Sequence, residues 1–165
     1  MNQLQGPPDD GSARPAHATI RPAATAEAGA VRDIVHAAYR HYIERIGQPP
    51  GPMLDDYVAR IAGGQVWVAD VGVRIAGVLV LEQQPHRLML DNVAVRPDCQ
   101  GTGLGRALVA FAEAEARRRG WREIVLYTHV LMTENQALYR RLGFVETDRV
   151  TEKGFDRVYM VKALE

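Results

Sequence analysis

The feature that most constrains the fold is a change of hydrophobic period in mid-chain, followed at once by a glycine loop. Val66-Trp67-Val68-Ala69, Ile75 through Leu81 and Leu88 through Val95 are runs rich in β-branched residues, the first two separated by a turn signal at Gly72. Such residues fit a pleated, half-buried surface. Directly after the third run stands Gln100-Gly101-Thr102-Gly103-Leu104-Gly105-Arg106, and Leu104, Ala107, Leu108, Phe111 and Ala112 then recur at helical spacing up to Arg117-Arg118-Arg119-Gly120. Three strands, a tight turn and a long helix are expected in that order. The arginines stand where the helix dipole is negative and Gly120 where a helix end turns left-handed, so this basic run needs no nucleic-acid role.

The flanks extend the pattern. A short extended Thr19-Ile20-Arg21 ends at Pro22, and Val31, Ile34, Val35, Ala38 and Tyr42 then predict a helix with Thr25 as its cap. Gly47 to Pro52 breaks it; Met53, Leu54, Tyr57, Val58 and Ile61 predict a second helix up to Gly63-Gly64. Beyond the long helix, Ile124 to Tyr127 predicts a strand. Thr133 with Gln136 predicts a capping box for a helix carrying Leu138 and Leu142, and Phe144 to Val150 with Arg157 to Val161 predicts a closing hairpin turning near Lys153-Gly154. The order β-α-α-β-β-β-α-β-α-β-β, without internal repeat, predicts an α/β (α+β) domain with a mixed, mainly antiparallel sheet flanked by helices. From Gln5 to Thr19 no large apolar residue occurs, so residues 1–18 are expected as a disordered tail and 19–165 as one domain.

Composition excludes whole classes of function. Twenty Lys plus Arg balance twenty Asp plus Glu, which leaves no global field to hold a nucleic-acid backbone or an anionic membrane. The longest aliphatic runs fall far short of the roughly 20 residues that cross a bilayer. The single cysteine, Cys99, forms no internal disulfide, and the start shows no secretory pattern, so a cytoplasmic setting is expected. His36 and His41 are five apart and no Cys/His cluster exists, which argues against a metal.

At the glycine loop, chain without Cβ atoms is free to turn its amides to one point, and the helix start adds about half a positive charge there. A diphosphate suits such a place. The dinucleotide pattern GxGxxG fails because Arg106 stands where its last glycine belongs, and GxxxxGK[ST] has no match. A tight strand-to-helix turn with no ligand is the plain alternative.

The loop Gln-x-x-Gly-x-Gly after Asn92-Val93-Ala94-Val95-Arg96-Pro97 resembles the acyl-CoA loop of the GNAT superfamily of N-acetyltransferases. Asn135-Gln136-Ala137-Leu138-Tyr139-Arg140-Arg141-Leu142-Gly143-Phe144 resembles that family's second signature, in the same order and at the same distance. The two cover about residues 88 to 162. The resemblance implies a GNAT-like fold, with a strand that parts from its neighbour, and acetyl-CoA as acyl donor with no metal. It implies that Val93 and Val95 hold the pantetheine by their backbone, that Gln100, Gly101, Gly103, Gly105 and Arg106 bind the pyrophosphate, that Asn135 touches the pantetheine arm, and that the Tyr139 phenol lies near the sulfur. Tyr139 also reads as one more packing aromatic, and Asn135 as a solvated polar residue behind a Thr133 cap.

An alkyl amine with pKa near 10.4 is neutral about once in 10³ molecules at pH 7, so making the nucleophile costs roughly 4–5 kcal/mol and a base helps. Asp91, two residues before Val93 and on its face by strand alternation, is one candidate; Glu82 at the end of the neighbouring strand is another. Each also reads as a strand-end carboxylate, Asp91 as one paired with an arginine. Tyr39, Tyr42, Arg45 and the Pro49 to Met53 loop are expected to wall the acceptor side, with His129 as a further candidate, while a covalent acyl-Cys99 is set aside. The expectation is direct acetyl transfer to a primary amine on a small molecule or peptide, with a homodimer as the suggested assembly. The competing class is a non-catalytic acyl-CoA-binding or regulatory module.

Overall fold

A computed structural model describes residues 17–165. Most of the expected tail lies outside the described residues, and its last position, Ala18, is already paired in a strand. The elements are β1 (Ala18–Pro22), α1 (Ala28–Tyr39), α2 (Tyr42–Ile46), α3 (Tyr57–Ala62), β2 (Val66–Val71), β3 (Arg74–Gln83), β4 (Leu88–Val95), α4 (Leu104–Arg118), β5 (Glu123–His129), α5 (Thr133–Arg141), β6 (Val145–Glu152) and β7 (Phe155–Ala163). One mixed sheet runs β1-β2-β3-β4-β5-β7-β6, antiparallel at every step except β4–β5.

Each face of the sheet carries its own apolar layer. Leu79, Leu81, Leu88, Leu90 and Leu126 pack with Leu104, Leu108 and Ala112 of α4, while Val68, Val78, Val80 and Ala94 pack with Val31, Ile34 and Val35 of α1 and Ile61 of α3. Strand alternation sends neighbouring residues of β3 into opposite layers. Gly77 lets α4 approach closely, because a Cβ there would stand 3.0 Å from Leu108 Cδ1 and 3.3 Å from Leu104 Cδ2.

Before β2, local structure differs from expectation in three places. Thr25 caps nothing; the Glu27 carboxylate accepts from the Ala24 amide at 2.7 Å and from Arg21, which also holds Asp70 on β2. The helix expected through Tyr42 ends at Tyr39 and resumes as α2, until Gly47 at φ +84° stops it. The second expected helix is a 3₁₀ turn at Gly51–Leu54 followed by α3, whose start is capped by Asp56 accepting from the Ala59 amide at 3.1 Å; Leu54 and Val58 face outward.

The sheet opens where β4 leaves β5. Their pairing covers only Leu88 to Leu90 against Ile124 to Leu126, yet β4 continues against β3 as far as Val95 and β5 against β7 as far as His129. At the parting point β4 bulges. Val80 faces Asn92 and Leu81 faces Leu90, which leaves Asp91 as an extra residue, and a bulge kinks the strand and sharpens its twist.

Candidate active site

Main-chain groups freed by this opening line a cleft. Arg96 donates its N–H to Ala76 O on β3, so by alternation Val93 and Val95 turn their main-chain groups away from β3 and into the gap. The Val95 carbonyl accepts from Gln100 Nε2 at 3.2 Å, and the Val93 carbonyl lies 3.0 Å from the Tyr39 hydroxyl. The side-chain amide of Gln100 thus tethers the strand end.

The loop then delivers the start of α4. Gly101 and Gly103 adopt φ +76° and +87°, a left-handed backbone that only glycine takes without strain. Gly103 is the cap residue and no side chain caps the helix; the first intrahelical bond is Ala107 N–H to Gly103 O. The amides of Leu104, Gly105 and Arg106 therefore lack helical partners and carry the positive end of a fifteen-residue helix. Arg106 is exposed beside them.

A groove of about 1360 Å³, the open solvent at its mouth included, brings Val93, Val95, Gln100, Gly101, Gly103, Gly105, Arg106, Asn135 and Tyr139 together. A second, inner cavity, itself partly open to solvent, is lined by Asp91, Asn92, Tyr127, His129, Met132 and Arg157, among others. The two share Tyr39, Val93, Asn135 and Tyr139.

Tyr139 is 7% exposed, its ring packed edge-on against Phe144. Its hydroxyl has no hydrogen-bond partner among the described residues, yet it is not sealed in: the sole fully buried side-chain polar atom without a partner there is Trp67 Nε1. Burial, with the neighbouring Tyr42 phenol, raises its pKa well above the usual tyrosine value, so it stays protonated and able to donate. Asn135 is the third residue of α5. Met132 occupies the cap position and its sulfur accepts from Asn135 Nδ2 at 3.6 Å without capping the helix, so the expected Thr133–Gln136 capping box is absent; Gln136 instead donates to the His129 and Val130 carbonyls and holds the β5–α5 turn.

The bulge changes the surroundings of Asp91. It breaks the alternation that was expected to put Asp91 on the face of Val93, and turns Asp91 toward Arg60 of α3. Arg60 Nη2 lies 3.3 Å from Asp91, its Nη1 3.1 Å from Glu82 and its Nε 2.9 Å from Asp55. The Tyr127 hydroxyl donates to Asp91 Oδ1 at 3.0 Å. Burial raises the pKa of Asp91, opposed by Arg60 and by the Tyr127 hydrogen bond. Glu82 is tied to Arg60 and lines neither cavity.

Of the expected acceptor wall, Tyr39 and Pro50 to Pro52 line the inner cavity, Tyr42 lines the outer groove and Arg45 lines neither. Tyr42 and Arg45 instead reach Glu134 at 3.3 and 2.8 Å, fastening α2 to the start of α5, and Arg45 holds the Glu134 carboxyl down to about 2. His129 does face the inner cavity; its Nδ1 accepts from the Leu131 amide at 3.1 Å, and burial lowers its pKa. Cys99 is buried between Asp98 and Arg74. Asn92, Tyr127, Arg60 and Arg157 were not singled out from sequence: Asn92 is 3% exposed, bonded to Tyr39 at 2.8 Å and Tyr57 at 3.2 Å. Only the predicted strands hinted at Tyr127 and Arg157, since the pairing of β5 with β7 joins segments distant in sequence.

A seven-stranded mixed sheet opened between two parallel strands, with a glycine loop feeding the uncapped helix beside the opening, defines a GNAT acyltransferase fold. The chain belongs to the GNAT acetyltransferase domain family, whose sequence pattern matches residues 62–146, just over half of it. Among relatives, it is 37% identical over 95 residues to the aminoglycoside N(6')-acetyltransferase type 1 of Stenotrophomonas maltophilia, covering 57% of this chain and 61% of that protein. It is 49% identical over 55 residues to the mycothiol acetyltransferase of Cellulomonas flavigena, covering 33% and 16%. The chain thus spans less than two thirds of either relative. Among solved structures, PaiA N-acetyltransferase of Thermoplasma acidophilum in complex with coenzyme A superposes with TM-score 0.75 at 16% identity, covering 89% of this chain and 99% of that one. A GNAT family acetyltransferase of Elizabethkingia anophelis with acetyl-CoA bound gives 0.68 at 21% identity, covering 89% and 98%. Among the described residues no helix is long and apolar enough to cross a membrane, and no group of three or more His, Cys, Asp or Glu is placed to hold a metal ion.

Proposed function

We propose that the protein transfers acetyl from acetyl-CoA directly to a primary amine within one ternary complex. The observation that carries this reading is the meeting of two cavities at Tyr39, Val93, Asn135 and Tyr139, the last with a hydroxyl that has no hydrogen-bond partner among the described residues. A donor entering along the outer groove and an acceptor entering through the inner cavity would react there without a covalent enzyme intermediate.

The residues present fit the donor. Uncapped amides of α4 and exposed Arg106 suit a pyrophosphate, and the main-chain groups of Val93 and Val95 suit an amide-bearing arm laid along β4 as an extra strand. In the transfer the amine nitrogen bonds to the thioester carbon, the carbon–sulfur bond breaks, and the sulfur leaves as a thiolate that Tyr139 stabilises by donating a hydrogen bond. The proton lost from nitrogen passes to Asp91, directly or through water, and both its oxygens keep a free lone pair beside Tyr127 and Arg60. Glu82 acts only through Arg60, as a positioning residue.

Release of free thiol from acetyl-CoA in the presence of an amine panel tests the reading. Turnover with at least one primary amine is expected; saturable acetyl-CoA binding with no thiol release from any amine would make the chain an acyl-CoA-binding module.

A further inference from the structure

The charges of the inner cavity say what kind of amine it accepts, an inference that rests on the acetyl-transfer reading and deepens it. Among the residues lining the cavity, Asp91 and Arg157 are the carboxylate and the guanidinium, and His129 is held toward neutrality. Tyr127 measures the spacing between them. Its hydroxyl donates to Asp91, while the Arg157 guanidinium carbon lies 4.2 Å from its ring centroid. The opposite charges thus stand within about one tyrosine side chain of each other. Arg157 is 13% exposed; among the described residues its one ion pair, 2.9 Å from Nη1 to Glu152, and the neighbouring Tyr159 hydroxyl engage only part of a fork with five donor hydrogens. A half-buried guanidinium with unspent donors facing a cavity is a binding group for a carboxylate, which it grips in two-point fashion.

We propose that Arg157 binds an anionic group of the acceptor, which is a compact amine carrying a carboxylate close to its nitrogen, as a free amino acid does. Phe155 and Met132 supply an apolar wall for its body. A polyamine would find the opposite: a single carboxylate already bonded to Arg60, and a cation in the path of its second charge.

The test uses matched amines on the full chain: L-phenylalanine against phenethylamine, L-methionine against its decarboxylated amine, and spermidine. Thiol release from acetyl-CoA is measured for each, and equilibrium binding to the protein saturated with coenzyme A. The amino acids are expected to exceed their decarboxylated partners at least tenfold in kcat/KM and in affinity. Arg157→Gln should bring that ratio near one, chiefly through KM, and Arg157→Lys should restore part of it. Amino-acid binding that depends on Arg157, with no turnover, would uphold this proposal and sink the transferase reading. Turnover confined to spermidine or the decarboxylated amines would do the reverse. Equal weakening of both members of a pair by Arg157→Gln, or binding of neither member to the wild type, would overturn the assignment of Arg157.

Discussion

The hydroxyl of Tyr127 donates to Asp91 Oδ1 at 3.0 Å across the point where β4 and β5 part. The last paired residues of the two strands are Leu90 and Leu126, so at the very next position a side-chain bond takes over from the backbone ladder. It closes the narrow end of the cleft and orients a carboxylate into the inner cavity. Burial raises both pKa values; the bond itself favours the Asp91 carboxylate, and the Asp91 charge raises the pKa of Tyr127 further.

Asp91→Asn should separate activity from stability. The folded-state pKa of Asp91 is raised, mainly by burial. The folded form therefore binds this proton more readily than the unfolded chain, and the contribution to stability is greatest below the unfolded value of about 3.9 and falls as pH rises through the folded pKa. At neutral pH the variant should melt no lower than wild type, while kcat/KM falls by about 10²–10⁴ if Asp91 takes the proton. Melting curves at pH 5 and 8 with a pH–rate profile check this; an unaltered rate would leave Asp91 a purely structural partner of Arg60.

Arg60→Ala should have the contrary signature. It removes the cation that Asp55, Glu82 and Asp91 share. A fully buried pair broken on one side costs about 3–5 kcal/mol, and the partial exposure of this guanidinium, 21%, reduces that to about 1–3 kcal/mol. The loss should be largest at neutral pH and shrink on acidification, as Asp91 takes up a proton and ceases to be an uncompensated charge. Denaturant melts at pH 7.5 and 4.5 measure the difference.

Tyr139→Phe removes a hydroxyl that bonds nothing among the described residues while keeping the ring against Phe144. Stability should hold. With its pKa raised by burial, the phenol serves as hydrogen-bond donor rather than as a full proton source, which points to the lower part of the range for losing an acid, roughly 10- to 300-fold in kcat. Acetyl-CoA affinity should barely move. An unchanged kcat in steady-state assays would reduce Tyr139 to a packing aromatic.

Gly103→Asp places a side chain at φ +87° and a negative charge at the uncapped start of α4. The left-handed backbone costs such a residue about 1 kcal/mol, tolerable for the fold. Its carboxylate would cap the helix itself and repel phosphate, so calorimetry should find acetyl-CoA binding abolished with the far-ultraviolet dichroism intact. Undiminished affinity would mean that the loop is only a turn.

What the sequence determined by itself is local. Hydrophobic period and glycine placement, which depend on neighbours a few residues away, sufficed for all seven strands and for α4, while Val93, Val95, Gly103, Asn135 and Tyr139, which line one groove, were singled out through the resemblance of two short motifs to the GNAT family. Caps were less legible: the choice between Thr25 and Glu27, or between Thr133 and Met132, turns on the path by which the chain enters the helix. Only the tertiary structure decided the chemistry around Asp91. Its bulge is a mismatch between two strands, invisible in either alone, and it cancels the alternation that would have placed Asp91 beside Val93. Arg60, Tyr127 and Arg157 come from α3, β5 and β7, brought together by strand pairing and helix packing across long stretches of chain. A residue's type states the charge it carries. Burial and partners, which decide whether that charge is held, moved or offered to a substrate, exist only once the sheet has assembled.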